Sequence, residues 1–363
     1  MLSKACIVGI YQRKLEEIAR AGIELLTLVP PSWKDERGET KLERVYTDGY
    51  RLEVIPIALN GNFHLHYYPG LGKIMRDFRP QIVHIDEEPY NLAAWQALYH
   101  ARRVGAKSLF FSWQNINRRY PPPFSWGENW VLHNVDHAIV GTEGAGEVWR
   151  AKGYERPMSL IPQFGVDPEL FKPQPHNDDR PFTIGYFGRL VEEKGLVSLI
   201  RAVATLPNEW CLRLVGSGPQ RAELENLAHE MGIREHIQFC EHIPSIEMPA
   251  QYHELDVFVL PSLTRPNWKE QFGRVLTEAM ASGVPVIGSD SGAIPDVIGS
   301  AGLIYPENDV DALAENLRHL QKNRQQRIHL AENGRIRALT HFTHQRVAKA
   351  TVQVYQQMSV SIA

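Results

Sequence analysis

Four charged side chains, grouped in two short segments, carry the chemistry this sequence is equipped to do. In Lys269-Glu270-Gln271-Phe272-Gly273-Arg274-Val275-Leu276-Thr277-Glu278-Ala279-Met280-Ala281-Ser282-Gly283-Val284-Pro285-Val286-Ile287, two carboxylates stand with seven residues between them. They flank a helix that starts near Gly273 and Arg274 and closes at Gly283, where a left-handed residue ends the last turn. The amino end of such a helix presents unpaired N–H groups and the positive end of its dipole, which suits a phosphate. Glu278, about one turn in, has two oxygens for the two hydroxyls of a ribose, and Glu270 in the preceding loop can reach a hexose hydroxyl. The ordinary alternative is that both are surface acids of an amphipathic helix. The apolar run that follows Glu278 argues against a fully solvated face.

The second segment is Thr183-Ile184-Gly185-Tyr186-Phe187-Gly188-Arg189-Leu190-Val191-Glu192-Glu193-Lys194-Gly195, an apolar strand running into a glycine turn that carries two cations. Arg189 and Lys194 would stand at the strand's carboxyl end. A guanidinium and an ammonium there can neutralise the charge that builds on a departing nucleoside diphosphate, with no metal. Pairing of these cations with Glu192 or Glu193 in a solvated loop is the competing reading.

These segments must be held by open parallel sheets, and the rest of the chain reads that way. Short apolar runs alternate with longer helical patterns: Ala5 to Val8, Ile23 to Val29, Leu52 to Ile57, Ile82 to Ile85, Ser108 to Phe111 and Ala138 to Val140. A second series covers Thr183 to Phe187, Cys211 to Val215, Ile237 to Cys240, Val257 to Leu260, Val284 to Ile287 and Gly302 to Ile304. Such βα alternation predicts an α/β chain of two doubly wound, Rossmann-like domains. The proline-rich polar stretch from Lys172 to Pro181 is the expected linker. Residues 1–173 are then an acceptor-side domain and 180–342 a donor-binding domain.

With these segments in view, the sequence resembles the family-4 retaining glycosyltransferases. The resemblance rests on Phe187-Gly188-Arg189-Leu190 with Lys194-Gly195, on Leu214-Val215-Gly216-Ser217-Gly218-Pro219, and on the Glu270/Glu278 block. Ser289 to Ile298 and Gly302 to Pro306 extend it, so it is dense in the second half. It implies a GT-B fold, two domains facing across a cleft, and transfer from a nucleotide-linked sugar, UDP or GDP, to a hydroxyl of a glycan, lipid or small molecule, with no metal or other cofactor. By the family pattern Arg189 and Lys194 hold the diphosphate, Glu270 the donor sugar and Glu278 the ribose. Phe272, Gly273, Arg274 and Val275 contribute backbone groups, Gly216 lies in the turn of the second motif, and His242 and Ile243 face the base. The last amphipathic helix, within about residues 343–363, packs back on the first domain.

On the acceptor side the chain departs from the pattern. The loop after the first strand reads Val8-Gly9-Ile10-Tyr11-Gln12-Arg13-Lys14 and lacks the usual second glycine, so Gln12, Arg13 or Lys14 would have to substitute with side-chain donors. A helix-starting basic loop without a ligand is the alternative. Two more loops follow buried strands. His84-Ile85-Asp86-Glu87-Glu88-Pro89-Tyr90-Asn91 offers three acids, of which Glu87 and especially Glu88 are candidates for an acceptor-side role. Capping of the helix after Asn91 is the sober reading. Phe111-Ser112-Trp113-Gln114-Asn115 supplies Trp113 and Gln114. It has Ser112-Trp113 where the family often carries a histidine, so no catalytic base transfers by motif. Indole faces suit sugar rings or a lipid; most of the tryptophans clustered nearby read as core, and Trp113 and Trp126 are the first to probe.

Composition adds bounds. A formal charge of −3 over 363 residues gives no global case for nucleic acid, although a local basic face could meet anionic lipid. Cys6, Cys211 and Cys240 stand singly, without metal-ligand spacing, which fits a reducing compartment. No run reaches the length of a membrane span, so a cytoplasmic protein, peripheral at most at the inner membrane face, is expected. Gly216-Ser217-Gly218 is a poor dinucleotide fingerprint because Arg221 stands at the third glycine. Asp309 and Asp311 read as helix caps, and His64 and His66 have no third ligand nearby. Two other functions remain open on the same fold: a non-hydrolysing sugar-nucleotide epimerase, which needs an acid–base pair, and a silent sugar-nucleotide-binding scaffold.

Overall fold

The computed structural model describes residues 1–35, 38–175, 179–207, 209–241, 243–244 and 247–360, the last without its side chain. His242, one of the base-facing candidates, lies outside the described residues. The chain forms two compact units, Met1–Gly165 with His344–Ala363, and Val166–Thr343. The expected linker region from residue 172 to 181 therefore belongs to the second unit. Phe171 is buried there against Tyr252, and its carbonyl accepts from Arg335 at 3.1 Å.

In the first unit seven parallel strands are β1 (Leu2–Ser3), β2 (Leu26–Val29), β5 (Arg51–Val54), β6 (Ile82–Asp86), β7 (Lys107–Ser112), β8 (His137–Val140) and β9 (Met158–Leu160), in the order β5-β2-β1-β6-β7-β8-β9. A separate antiparallel hairpin, β3 (Ser32–Asp35) and β4 (Gly38–Lys41), is not foreshadowed by any apolar run, since its strands are mostly polar and exposed. The second unit carries β10 (Phe182–Phe187), β11 (Trp210–Val215), β12 (Ile237–Cys240), β13 (Val257–Leu260), β14 (Val286–Ser289) and β15 (Leu303–Tyr305), ordered β12-β11-β10-β13-β14-β15. Every residue of β10, β13 and β14 is buried, as strands covered on both faces require. Both orders reverse once, between β1 and β6 and between β10 and β13. In doubly wound sheets ligands bind beyond the strand ends at that reversal.

Two strand expectations shift. Ala5 to Val8 is not a strand: the chain leaves the sheet after Ser3 and winds through short 3-10 turns at Ala5–Ile7 and Gly9–Gln12. The Ser3 hydroxyl accepts from Cys6 N–H at 3.2 Å, and the Gln12 amide donates to the Cys6 carbonyl at 3.0 Å, so side chains take up backbone groups a ladder would have used. The strand expected at Val284 starts at Val286, because Gly283 and Val284 still serve the helix Arg274–Ala281. Gly283 N–H bonds Met280 and Val284 N–H bonds Ala279, a Schellman closure with Gly283 at φ +72°.

Helix starts follow their caps, Asn91 for Leu92–Arg103 and Asp309 for Val310–Lys322, each accepting from the N–H three residues on. Asp309 is thus a cap, as its sequence context suggests. The final helix, His344–Val360, belongs to the first unit: it packs on the helix Arg13–Arg20, and the Tyr355 hydroxyl meets His84 Nδ1 at 2.7 Å. Since Leu2 pairs with Leu28 and Ile85, β2 and β6 begin before β1 does. Between them lies a cavity of about 700 Å³ lined by Leu26, Met75, Phe78, Ile82, His84 and Tyr355. No helix among the described residues is long and apolar enough to cross a membrane.

Candidate active site

The reversal between β10 and β13 brings the two chemical segments of the second unit together. Arg189 and Lys194 follow β10, and Glu270 follows β13. Glycine makes the turn after β10 possible: Gly188 lies at φ +154° and Gly216 at φ +142°, and a Cβ on Gly216 would stand 2.0 Å from the Gly188 carbonyl oxygen. The loops after β10 and β11 are stitched by Leu190 N–H to Ser217 and Gln220 N–H to Leu190. A Cβ on Gly195, at φ +68°, would meet the Pro261 carbonyl at 2.0 Å, so the loop after β10 lies directly against the one after β13.

Across that contact the Lys194 ammonium pairs with Glu270 Oε2 at 2.5 Å, with both side chains largely buried. The Ser262 hydroxyl donates to the same oxygen at 2.8 Å, and the ammonium lies 4.8 Å from the Trp268 ring centroid. The loop that carries Trp268 is folded back by the Arg265–Trp268 bridge and tied by Arg265 to Glu192 at 2.8 Å. Arg189 is the exposed cation, 46% accessible and 3.4 Å from Glu193. Lys194 therefore pairs neither with Glu192 nor with Glu193, the solvated alternative for it, whereas Arg189 does take the neighbouring Glu193. Sequence reasoning missed Ser262 and Trp268. The signal for Ser262 was its place two residues past a buried strand, where a switch-point ligand belongs.

Glu278 stands on the helix Arg274–Ala281, whose amino end has Gly273 at φ +76° and no side-chain cap. It is 5% exposed, its Oε2 accepts from the Tyr252 hydroxyl at 2.9 Å and its Oε1 pairs with Arg274 Nε at 3.0 Å. Phe272 is buried against Phe342 and the Val275 carbonyl accepts from Tyr252. Ile243 is half-buried.

The reversal in the first unit, between β1 and β6, has a lysine and a glutamate of its own. Lys4 follows β1 and its ammonium pairs with Glu87 Oε2 after β6, lying also over the Trp33 and Phe63 rings. Glu87 is 2% exposed and is further met by Asn91 Nδ2 at 3.2 Å, Tyr68 hydroxyl at 2.9 Å and His66 Nε2 at 3.5 Å. Burial pushes its carboxyl up, but Lys4 and His66 together outweigh that and hold it down at about 2. Three donors of the fold, Lys4, Asn91 and Tyr68, thus occupy the two oxygens of Glu87, the residue expected on the acceptor side. Glu88 differs: it accepts from Ser112 Oγ at 2.5 Å and Trp113 N–H at 2.9 Å, and burial raises it to about 7 against those bonds.

Gln12 is likewise engaged by its own fold. Fully buried, it donates to the Cys6 and Glu43 carbonyls and accepts from Val45 N–H, so its amide holds its own loop and does not replace a missing glycine. Arg13 pairs with Glu16 and Glu17, and Lys14 donates to the Gln163 carbonyl at 2.7 Å. Trp113 bonds Gln163 Oε1 at 2.7 Å, and its indole fills the space a Cβ on Gly141 would need. Gln114 is 6% exposed, with Oε1 among the buried atoms lacking a hydrogen-bond partner. Trp126 is 68% exposed. Among the described residues no group of three or more His, Cys, Asp or Glu is placed to hold a metal ion.

Comparison with known proteins agrees with this architecture. The model of the Glycosyltransferase Family 4 matches residues 13–170, and that of the Glycosyl transferases group 1 matches residues 167–337. This chain is therefore a GT-B-fold protein related to the family-4 and group-1 glycosyltransferases. It is 36% identical over 166 residues to the GDP-mannose-dependent alpha-(1-6)-phosphatidylinositol monomannoside mannosyltransferase of Mycolicibacterium smegmatis, covering 41% of this chain and 43% of that one. With the 2-deoxystreptamine glucosyltransferase of Streptomyces kanamyceticus it shares 27% identity over 267 residues, 66% of this chain and 67% of the relative. The matches to the mycobacterial mannosyltransferases span about half the length of those relatives, 43% and 49%. Sucrose-phosphate synthase of Thermosynechococcus elongatus has the same fold, with a TM-score of 0.71 at 23% identity over 99% of this chain and 98% of that one. So does Anabaena HepE in complex with UDP and glucose, with a TM-score of 0.71 at 17% identity over 98% of each chain.

Proposed function

We propose that this protein is a retaining glycosyltransferase that moves a sugar from a UDP- or GDP-linked donor to a hydroxyl of a glycan, lipid or small molecule, without a metal. The observation that carries this reading is the Lys194–Glu270 pair at the β10/β13 reversal, with Arg189 on the same turn and Glu278 on the helix that follows Gly273. A diphosphate arriving there draws Lys194 and Arg189 to itself, and the amino end of Arg274–Ala281 adds partial positive charge. Glu270, released from part of its pairing, accepts from a sugar hydroxyl, and Glu278 accepts from the ribose. As the glycosidic bond opens, negative charge grows on the leaving phosphate, where preorganised cations lower the barrier most. The leaving phosphate then takes the acceptor's proton on the same face of the sugar, so no separate base is required and the anomeric configuration is kept.

Acceptor recognition is assigned to the first unit. Glu88, raised to about 7 and so shared between its acid and carboxylate forms at neutrality, would hydrogen-bond an acceptor hydroxyl, and Gln114 Oε1 is a buried acceptor atom in want of a donor. The proposal places the protein in the cytoplasm, peripheral at the inner membrane face where the acceptor is a lipid. Its three unpaired cysteines fit that compartment.

The test is a thermal-shift screen with UDP, GDP, ADP and their common hexose conjugates, followed by transfer assays with the donor that binds. GDP-mannose belongs in the panel because it is named for the mycobacterial relative, and UDP-glucose because UDP and glucose occupy HepE. A donor that raises the midpoint and is consumed only with an acceptor supports the reading. Isotope exchange into the donor sugar without an acceptor would mark an epimerase instead, and binding with neither outcome would mark a scaffold.

A further inference from the structure

Tyr252 is the last but one residue of the short helix Met248–His253, twenty-six positions before Glu278 and in no recognised motif. It is wholly buried. Its ring packs on Phe171, Phe187 and Phe258, and Phe187 ends the strand from which the Gly188-Arg189 turn departs. Its hydroxyl meets Glu278 Oε2 at 2.9 Å and the Val275 carbonyl at 3.2 Å.

The glutamate it touches has a geometry suited to a diol. Each carboxylate oxygen has two lone-pair directions, and Tyr252 and Arg274 occupy one on each oxygen, which leaves one on each for a pair of adjacent hydroxyls. The last torsion of a glutamate is broad, so nothing intrinsic to the side chain fixes the plane of that carboxylate. Arg274 is the more exposed of the two partners, its side chain 34% accessible, whereas Tyr252 is wholly buried. The Tyr252 ring, clamped on three aromatic neighbours, is rigid. Burial and the neighbouring Glu278 push its ionisation well above the usual tyrosine range, so its hydroxyl stays a donor at every workable pH.

We infer that Tyr252 is a positioning residue for ribose recognition, its hydroxyl holding the Glu278 carboxylate in the plane that receives both ribose hydroxyls. This rests on the reading of Glu278 as the ribose acceptor, and the experiment separates the two. Affinities for UDP or GDP, whichever stabilises the protein, and for the 2′-deoxy form are measured calorimetrically in wild type, Tyr252→Phe and Glu278→Ala. Wild type should favour the ribonucleotide about tenfold or more, the equivalent of a lost bond to a charged group. Glu278→Ala should erase that preference, and Tyr252→Phe, which keeps the ring, should reduce it to within about threefold. A merely structural role would lower both affinities alike and leave the ratio unchanged. Tyr252→Met, a second variant without the hydroxyl, should show the same loss, so the outcome does not hang on one variant folding. Full discrimination retained in both Tyr252 variants overturns the inference while the ribose role of Glu278 stands. No discrimination in wild type overturns both.

Discussion

Each unit places a lysine after its first central strand and a glutamate after the strand across the reversal, and each pair forms a salt bridge, Lys4–Glu87 and Lys194–Glu270. The difference lies in what else holds them. Glu87 has no exposed side-chain surface and is met by Tyr68, His66 and Asn91 besides its lysine, whereas Glu270 takes Ser262 besides its lysine and keeps an accessible edge, and Lys194 rests against an indole. The two lysines are equally exposed, 15% each, and the contrast lies in the glutamates: Glu87 is enclosed in a polar network. The second pair can be exchanged for an incoming anion and hydroxyl at modest cost, because part of its environment is already solvent-facing. The same topology therefore builds a buried brace at one reversal and the proposed donor site at the other.

Breaking the two pairs in the same way should separate them. Lys194→Ala should lower turnover by about 10²- to 10³-fold, the loss typical of one charge-stabilising group. Its stability should fall as well, but by less than in Lys4→Ala, because the side chain of Glu270 keeps a 10% accessible edge where that of Glu87 has none. Lys4→Ala should do the reverse, costing about 3 kcal/mol of stability by leaving Glu87 buried without its cation. Steady-state rates and denaturation midpoints on both variants decide the matter. Comparable effects on both would erase the distinction.

Titration sharpens it further. Glu87 is held at about 2 when folded, against a usual 4.5, so its contribution is present above pH 4.5 and is lost as pH falls toward 2. Lys4→Ala should flatten that acid limb in equilibrium unfolding. Glu88 shifts the other way, to about 7, so between pH 4.5 and 7 the folded chain holds a proton that the unfolded chain has released. Its contribution to stability is therefore full below 4.5 and declines as pH rises through 7. Glu88→Gln, which keeps a hydrogen-bonding side chain, should remove that slope and lower turnover by much less than the about 10²- to 10⁴-fold that losing a general acid or base costs. The smallest expected effect is that of a chelator: with two side-chain cations assigned to the diphosphate, the rate should not change. Inhibition reversed by a divalent ion would refute that assignment.

Much of the donor side was legible because its elements are local. Apolar runs define β10, β13 and β14, and Gly273 and Gly283 bracket the helix that carries Glu278. What joins Lys194 to Glu270 is strand order, a long-range property that alternation of elements only suggests. Tyr252 was invisible for the same reason: it reaches Glu278 through tertiary packing of a neighbouring helix and belongs to no spacing pattern. The acceptor side misled in a different way. Glu87 and Gln12 have the side chains of ligand-binding residues at positions where such residues belong, but Lys4, Tyr68, Cys6, Glu43 and Val45, supplied by other segments, take up their polar atoms. Residue type at a loop position cannot tell a satisfied buried group from an open one.

The central claim is that a donor diphosphate is gripped at the β10/β13 reversal, and isothermal titration of the stabilising nucleoside diphosphate into wild type, Lys194→Ala and Lys4→Ala tests it most directly. The account predicts an affinity at least about tenfold weaker for Lys194→Ala, the loss of one charge-assisted contact, with Lys4→Ala, measured where it is folded, near wild type. Undiminished binding by Lys194→Ala would contradict it.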